Sequence, residues 1–183
     1  MVRKNELMTA EQLLIKQPPN MRSELVNGRM LVREPAFYEH GKLAMLIAFA
    51  LQSWVAPRKL GDVVAAETGF TLRRNPDTVL APDTAFISNA RLPRAPVTGY
   101  AELTPDLIVE VLSSSDRAAK VRWKIAQWLS AGARLVWVID ARRGRADVRR
   151  ADGTSERIGA DGALDGEDVL PGFTLPLQPL FGG

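Results

Sequence analysis

Thr104-Pro-Asp-Leu-Ile-Val-Glu110-Val-Leu112, a serine-rich turn Ser113-Ser-Ser-Asp116, a basic amphipathic segment and then Arg134-Leu-Val-Trp-Val-Ile-Asp140 decide the fold of this chain. Asp106 to Leu112 is a short apolar run of the length and β-branched content of a buried strand. Glu110 stands in its middle, where an unpaired carboxylate costs far more than one side chain's packing returns. Some other group must hold that charge.

The residues that follow supply the next element. Ser113 to Asp116 offers an N-cap and an acidic first turn, so the spacing predicts a helix to about Ala131, stopped by Gly132. Val121, Ile125, Trp128 and Leu129 form its inward stripe. Lys124 lies at the edge of that stripe, able to bury its methylenes while its amine looks along the sheet. Arg134 to Asp140 is apolar enough for a central strand. Strand, helix, strand in this order implies a parallel pair with a crossover helix. The fold class is therefore α/β, with a mixed β-sheet flanked by helices.

Upstream, Thr9-Ala-Glu-Gln12 is a capping-box pattern opening a short helix that stops at Pro18-Pro19. Glu24-Leu-Val26, Asn27-Gly28 and Arg29 to Arg33 read as a hairpin with a type I′ turn. This N-terminal helix and hairpin occupy about residues 9–34. Leu43, Leu46, Ile47, Ala50, Leu51 and Trp54 recur at helical spacing between His40 and about Val55, and Pro57 is expected to end that helix. Glu39 and His40 lie at its start, where the helix dipole favours a carboxylate and where either residue could border an active site. Val63 to Leu72 reads as one strand and Val79 to Ile87 as another, interrupted by Pro82, which marks an edge, a bulge or a strand start beside Asp83. Ser88 to Glu102 is expected to be a loop. Arg145 to Arg150 reads as a ribbon beside the central strands, and Asp168 to Leu177 as a closing turn and short strand.

Composition narrows the chemistry. With 183 residues the chain has the length of a single domain, 1–183, and 46% hydrophobic with 25% charged residues is ordinary for a globular protein. The net charge of +3 is compatible with a polyanionic partner. Cysteine is absent and His40 is the sole histidine, which excludes disulfides, thiolate zinc sites and cysteine nucleophiles. Any catalytic metal must then be held mainly by carboxylates, which favours Mg or Mn. The opening Met1-Val-Arg-Lys-Asn-Glu6 lacks the apolar core of a secretory signal, and no apolar run approaches membrane-spanning length, so a cytoplasmic location is expected.

The chemistry centres on Asp83, Glu110 and Lys124. Two carboxylates on adjacent strands repel unless a cation sits between them or one stays protonated. A divalent metal resolves that conflict, polarises a phosphoryl oxygen and acidifies a bound water, and a lysine nearby stabilises the developing negative charge. The arrangement suits metal-assisted phosphodiester hydrolysis. Asp106 reads instead as a turn or capping residue, and Arg142 to Arg150 as a solvated ribbon that could touch phosphates.

Pro82-Asp83, Pro105-Asp106-Leu-Ile-Val-Glu110-Val-Leu-Ser-Ser-Ser-Asp-Arg117, Lys124, Trp128, Gly132 and Val136-Trp-Val-Ile-Asp140 together resemble the Uma-type family of restriction-endonuclease-like proteins. The similarity runs in order from the hairpin to Leu170-Pro-Gly-Phe173. It implies a PD-(D/E)XK nuclease core, a divalent metal, a DNA substrate and a homodimer. Carried over, Asp83 is the first acidic metal ligand and Glu110 the second. Leu112 stands where that pattern has lysine, a residue that such families often displace to the following helix, here to Lys124. Trp128 and Val136 stand where the family more often has tyrosine.

The expected function is thus a Mg- or Mn-dependent endonuclease acting on DNA. Two other readings share these residues: a nuclease-fold protein that binds nucleic acid or a protein partner without cutting, and a structural dimer module. Glu110 and Lys124 as a plain buried ion pair belongs with the latter two.

Overall fold

The computed structural model describes residues 7–114 and 116–182. The opening Met1 to Glu6, which lacks the apolar core of a secretory signal, and Ser115 of the serine turn lie outside them. The chain begins with α1 (Ala10–Lys16), capped by the expected reciprocal bonds between Thr9 and Gln12. Strands β1 (Arg22–Val26) and β2 (Arg29–Arg33) form the hairpin, with Asn27 and Gly28 both at positive φ as its tight turn requires. Helix α2 (Tyr38–Arg58) starts two residues before His40 and runs through Pro57. Its stop is Lys59 in the left-handed conformation, so the proline sits in the last turn and does not terminate the helix.

The segment read as one strand from Val63 to Leu72 is two, β3 (Gly61–Ala65) and β4 (Phe70–Arg73), which belong to different sheets. A turn with Glu67 at positive φ separates them. The stretch around Pro82 divides in the same way, into β5 (Thr78–Leu80) and β6 (Thr84–Ser88). Pro82 therefore marks a change of sheet, because a residue without an N–H cannot carry a ladder across the break. Residues 89–106 form a largely irregular connection with one bridge, Ala101 to Phe70.

Next come β7 (Leu107–Val111), α3 (Ala118–Ser130) and β8 (Leu135–Asp140), with β7 and β8 parallel in register Glu110 to Val138. The crossover unit is as the sequence implies, and Gly132 at positive φ follows the helix. Asp116 does not cap α3. Arg117 occupies the N-cap, while the Asp116 carboxylate accepts from the Ser113 amide and hydroxyl at 2.8 Å each, folding the serine turn on itself. The chain closes with β9 (Arg145–Arg150), β10 (Ser155–Gly159), β11 (Ala163–Asp165), β12 (Thr174–Pro176) and a short α4 (Gln178–Phe181).

Two sheets position everything that follows. A mixed six-stranded sheet runs β10-β9-β8-β7-β6-β3, and an antiparallel four-stranded sheet runs β2-β1-β5-β4. Side chains alternate across β7. Leu107, Val109 and Val111 pack with Leu43, Ile47 and Leu51 of α2, whereas Ile108 packs with Ile125 and Trp128 of α3. Glu110 falls on the α3 side of that alternation. Among the described residues no helix is long and apolar enough to cross a membrane.

Candidate active site

The chain passes from the four-stranded sheet to the six-stranded one where β5 gives way to β6. Lys124 is buried on α3, and its ammonium meets acceptors from three elements: Glu110 of β7 at 2.8 Å (Oε1) and 2.9 Å (Oε2), Glu24 of β1 at 3.0 Å, and the Ala81 carbonyl in the strand break at 2.8 Å. Three N–H donors are all an ammonium has, so Lys124 is saturated in this arrangement. Trp128, one turn further along α3, donates its indole N–H to Glu110 Oε1 at 2.8 Å. The aromatic at this position thus orients a carboxylate as well as packing.

Asp83 sits one residue before β6, and its amide donates to the Val109 carbonyl at 3.1 Å. Its carboxylate accepts from the Val111 amide at 2.8 Å and from Arg22 at 3.0 Å, and lies 3.2 Å from His40 Nε2. His40 reaches it because α2 packs on the opposite face of the sheet from α3. Glu24 is fixed by the Ala81 amide at 3.2 Å and by Arg33 at 3.0 Å.

Burial and charge divide the carboxyls. Burial pushes Glu110 up, to about 7, against the attraction of Lys124, and the charges of Asp83 and Glu24 push it further. Asp83 resists its own burial: the hydrogen bond and charge of His40, then Lys124 and the Val111 amide, hold it down at about 2. Glu24 is also kept below the usual carboxylate range, since Lys124 and Arg33 outweigh its burial. The bond to Asp83 raises His40 against its burial, and Lys124 is raised against its burial by Glu110, Glu24 and Asp83.

These groups border a cavity of about 390 Å³. Its lining carries six carboxylates against four lysine or arginine side chains and His40. By formal charge that leaves the lining net acidic, an excess that a bound cation would offset. Among the described residues no cluster of three or more Asp, Glu, His or Cys side chains is arranged to hold a metal. Asp83 and Glu110 nonetheless each keep lone pairs not taken by the bonds above, and both are hard oxygen donors. Two carboxylates completed by water and substrate oxygens is how Mg²⁺ is commonly bound. The pair fits such an ion provided that Lys124 yields its hold on Glu110.

A family model, Uma2, described as "Putative restriction endonuclease", matches residues 9–178. The chain belongs to the Uma2 family. Among solved structures, the crystal structure of a protein from Anabaena variabilis ATCC 29413, described as a "putative nuclease", matches with a TM-score of 0.83. The two are 20% identical, and the match covers 95% of this chain and 97% of that one, so they share a restriction-endonuclease-like fold. No curated protein matches.

In this Uma2 family member, Asp83, Glu110, Lys124 and His40 come together. Glu39 does not join them; it is exposed on the first turn of α2. Asp106 lies at the other end of β7, accepting from the Ser88 amide at 2.8 Å and paired with Arg91 at 3.1 Å, as expected of a turn residue. Sequence reasoning missed Glu24, Arg22 and Arg33, taking Glu24 only as the start of a hairpin. Its one visible signal is a carboxylate beside Leu25, and these two are the buried positions of that strand.

Proposed function

We propose that this chain is a Mg- or Mn-dependent endonuclease that hydrolyses DNA phosphodiester bonds. The observation that carries the reading is Lys124 held between Glu110 and Glu24 beside Asp83, at the edge of a cavity whose charge calls for a cation. Asp83 and Glu110 would hold the ion. When bound, the ion acidifies a water and draws charge from the phosphoryl oxygens. Lys124 releases Glu110, stays anchored on Glu24 and the Ala81 carbonyl, and donates its freed N–H to a non-bridging oxygen as negative charge builds there. His40 keeps Asp83 ionised, Arg22 helps to orient it, and Trp128 orients Glu110. Purified protein with Mn²⁺ is expected to nick plasmid or cut single-stranded DNA, and an Asp83→Ala variant to do neither. Cleavage at the variant's level by wild-type protein overturns the reading.

The whole of 1–183 acts as one unit in the cytoplasm, as a homodimer. The dimer rests on α2, which is apolar on more than its core side: Met45 and Phe49 are 62% and 64% exposed, with Tyr38 in the same stripe. A second copy of this face would cover it around a two-fold axis. Sedimentation should give a dimer for wild type and a monomer for Phe49→Glu.

One observation favours a non-cutting relative of such enzymes: Lys124 is already paired with Glu110 and Glu24 inside the protein. That reading predicts no carboxylate-dependent uptake of Mn²⁺.

A further inference from the structure

Glu110 is one member of a row that runs across the six-stranded sheet. It pairs with Val138 of β8, Val138 with Asp147 of β9, and Asp147 with Arg157 of β10, so all four side chains stand on the α3 face. Neighbouring strands lie about 4.8 Å apart, which puts the backbone of Arg157 about 14 Å from that of Glu110. The flanking rows on this face add Arg145, opposite Asp140, and Arg149, opposite Val136. A 3₁₀ turn between β8 and β9, Ala141–Arg143, adds Arg142 and Arg143 at the end of the sheet where β7 finishes with Glu110 and Val111.

Only two carboxylates on this face meet these arginines among the described residues. Asp140 takes Arg143 at 2.9 Å and Arg145 at 3.6 Å, and Asp147 takes Arg157 at 2.7 Å and Arg149 at 3.3 Å. Arg142 is exposed, with no partner among the described residues. A guanidinium carries five N–H donors, so Arg143 and Arg157, whose side chains are 66% and 57% exposed, keep most of theirs for an outside acceptor. Arg150 points to the opposite face, where Glu156 and Glu167 hold it, and takes no part. Helix α3 lies between this band and the cavity. Lys124 leaves α3 towards β7 and the β5–β6 break, so the opposite edge of the helix faces β9. Arg122, about 160° round the helix from Lys124, stands exposed on that edge, also without a partner among the described residues. Ala118–Ser130 contains no carboxylate to oppose it. A net basic surface thus adjoins the net acidic cavity.

We propose that this arginine band seats the phosphate backbone of duplex DNA and holds the duplex beside the cavity without reading its sequence. This rests on the nuclease reading above and names the form of its substrate and the surface that takes it. Guanidiniums held in place by Asp140 and Asp147 suit phosphate oxygens, which fix a protein's position on DNA but carry no sequence information. No Phe, Tyr or Trp occurs from Ala141 to Gly159, so the band has no ring on which an unpaired base could stack.

The test is fluorescence anisotropy with a labelled DNA duplex of about 20 base pairs and with one of its strands alone, in Ca²⁺, alongside Mn²⁺ cleavage of the duplex. The double variant Arg122→Ala/Arg142→Ala removes two exposed cations that hold nothing inside the protein, so its folding is not endangered. It should bind duplex about 5-fold or more weakly and lower the slope of log affinity against log salt by about 1.8, and Arg157→Gln should lower that slope by about 0.9. Lys59→Gln changes an exposed cation at the Asp106 end of the sheet and should alter neither quantity. Two duplexes of unrelated sequence should bind equally. Duplex affinity and salt slope unchanged in both arginine variants, an equal loss in Lys59→Gln, or tighter binding of the single strand than of the duplex each overturns the proposal. Mn²⁺ cleavage of the duplex with affinity indifferent to the arginines overturns it while leaving the nuclease reading intact. Arginine-dependent duplex binding without any cleavage supports it and removes the nuclease reading instead.

Discussion

The chain contains two Pro-Asp pairs that end up equally hidden and differently used. Asp83 is 4% exposed and Asp106 2%. Asp106 stands before β7, sealed by the Ser88 amide, Arg91 and, at 3.7 Å, Arg134, whose other carboxylate partner is the exposed Asp168. Asp83 lies by the far end of β7, where Glu110 and Glu24 converge on one lysine and a cavity opens. The dipeptide itself therefore carries no function. What separates the two is whether neighbouring elements deliver surplus negative charge and space.

The largest expected difference is in activity. Asp83→Ala should lower Mn²⁺-dependent cleavage by about 100-fold or more, since it removes the proposed ligand and its fixed charge from the site. Asp106→Ala should leave cleavage per folded molecule unchanged. Equal losses in the two variants would erase the distinction.

Stability should divide the two ends in the same direction, though less sharply. Lys124→Met strands Glu110 and Glu24 against each other and should cost about 3–5 kcal/mol in chemical denaturation. Because it also frees Glu110, Mn²⁺ should raise this variant's melting temperature by more than it raises that of wild type. Asp106→Ala should cost about 1–3 kcal/mol, from the buried Ser88 amide and the arginines left unpaired.

The smallest effect is in pH dependence. His40 is raised above 6.5 by Asp83, so its contribution is complete below about pH 6.5 and is lost as pH rises through the folded value. Asp83 is lowered from 3.8 to about 2, so its contribution is complete above about pH 4 and is lost as pH falls towards 2. His40→Gln should thus be less stable than wild type at pH 5, with the gap narrowing on the alkaline side. A gap that widens with pH assigns His40 another partner.

Much of this was legible in the sequence, for local reasons. Glu110 in an apolar run announces a buried charge, and helical spacing puts Lys124 within reach of it. Asn27-Gly28, Gly132 and the Thr9 box fix turns and caps through backbone preferences that need no tertiary information. The sheet changes at Glu67 and Pro82 were not legible as such, because a break in a strand looks the same whether the chain bulges or leaves for another sheet. Glu24, Arg22 and Arg33 join the site only through that second sheet, so their role depends on contacts distant in sequence. Trp128 read as packing because the partner of an indole N–H is invisible until β7 and α3 are placed together.

Calorimetric titration of Mn²⁺ into wild type, Asp83→Ala and Asp106→Ala tests the central claim most directly. Saturable uptake by wild type and Asp106→Ala, with none by Asp83→Ala, is the predicted result. Uptake by Asp83→Ala equal to wild type, or no uptake by wild type, contradicts it.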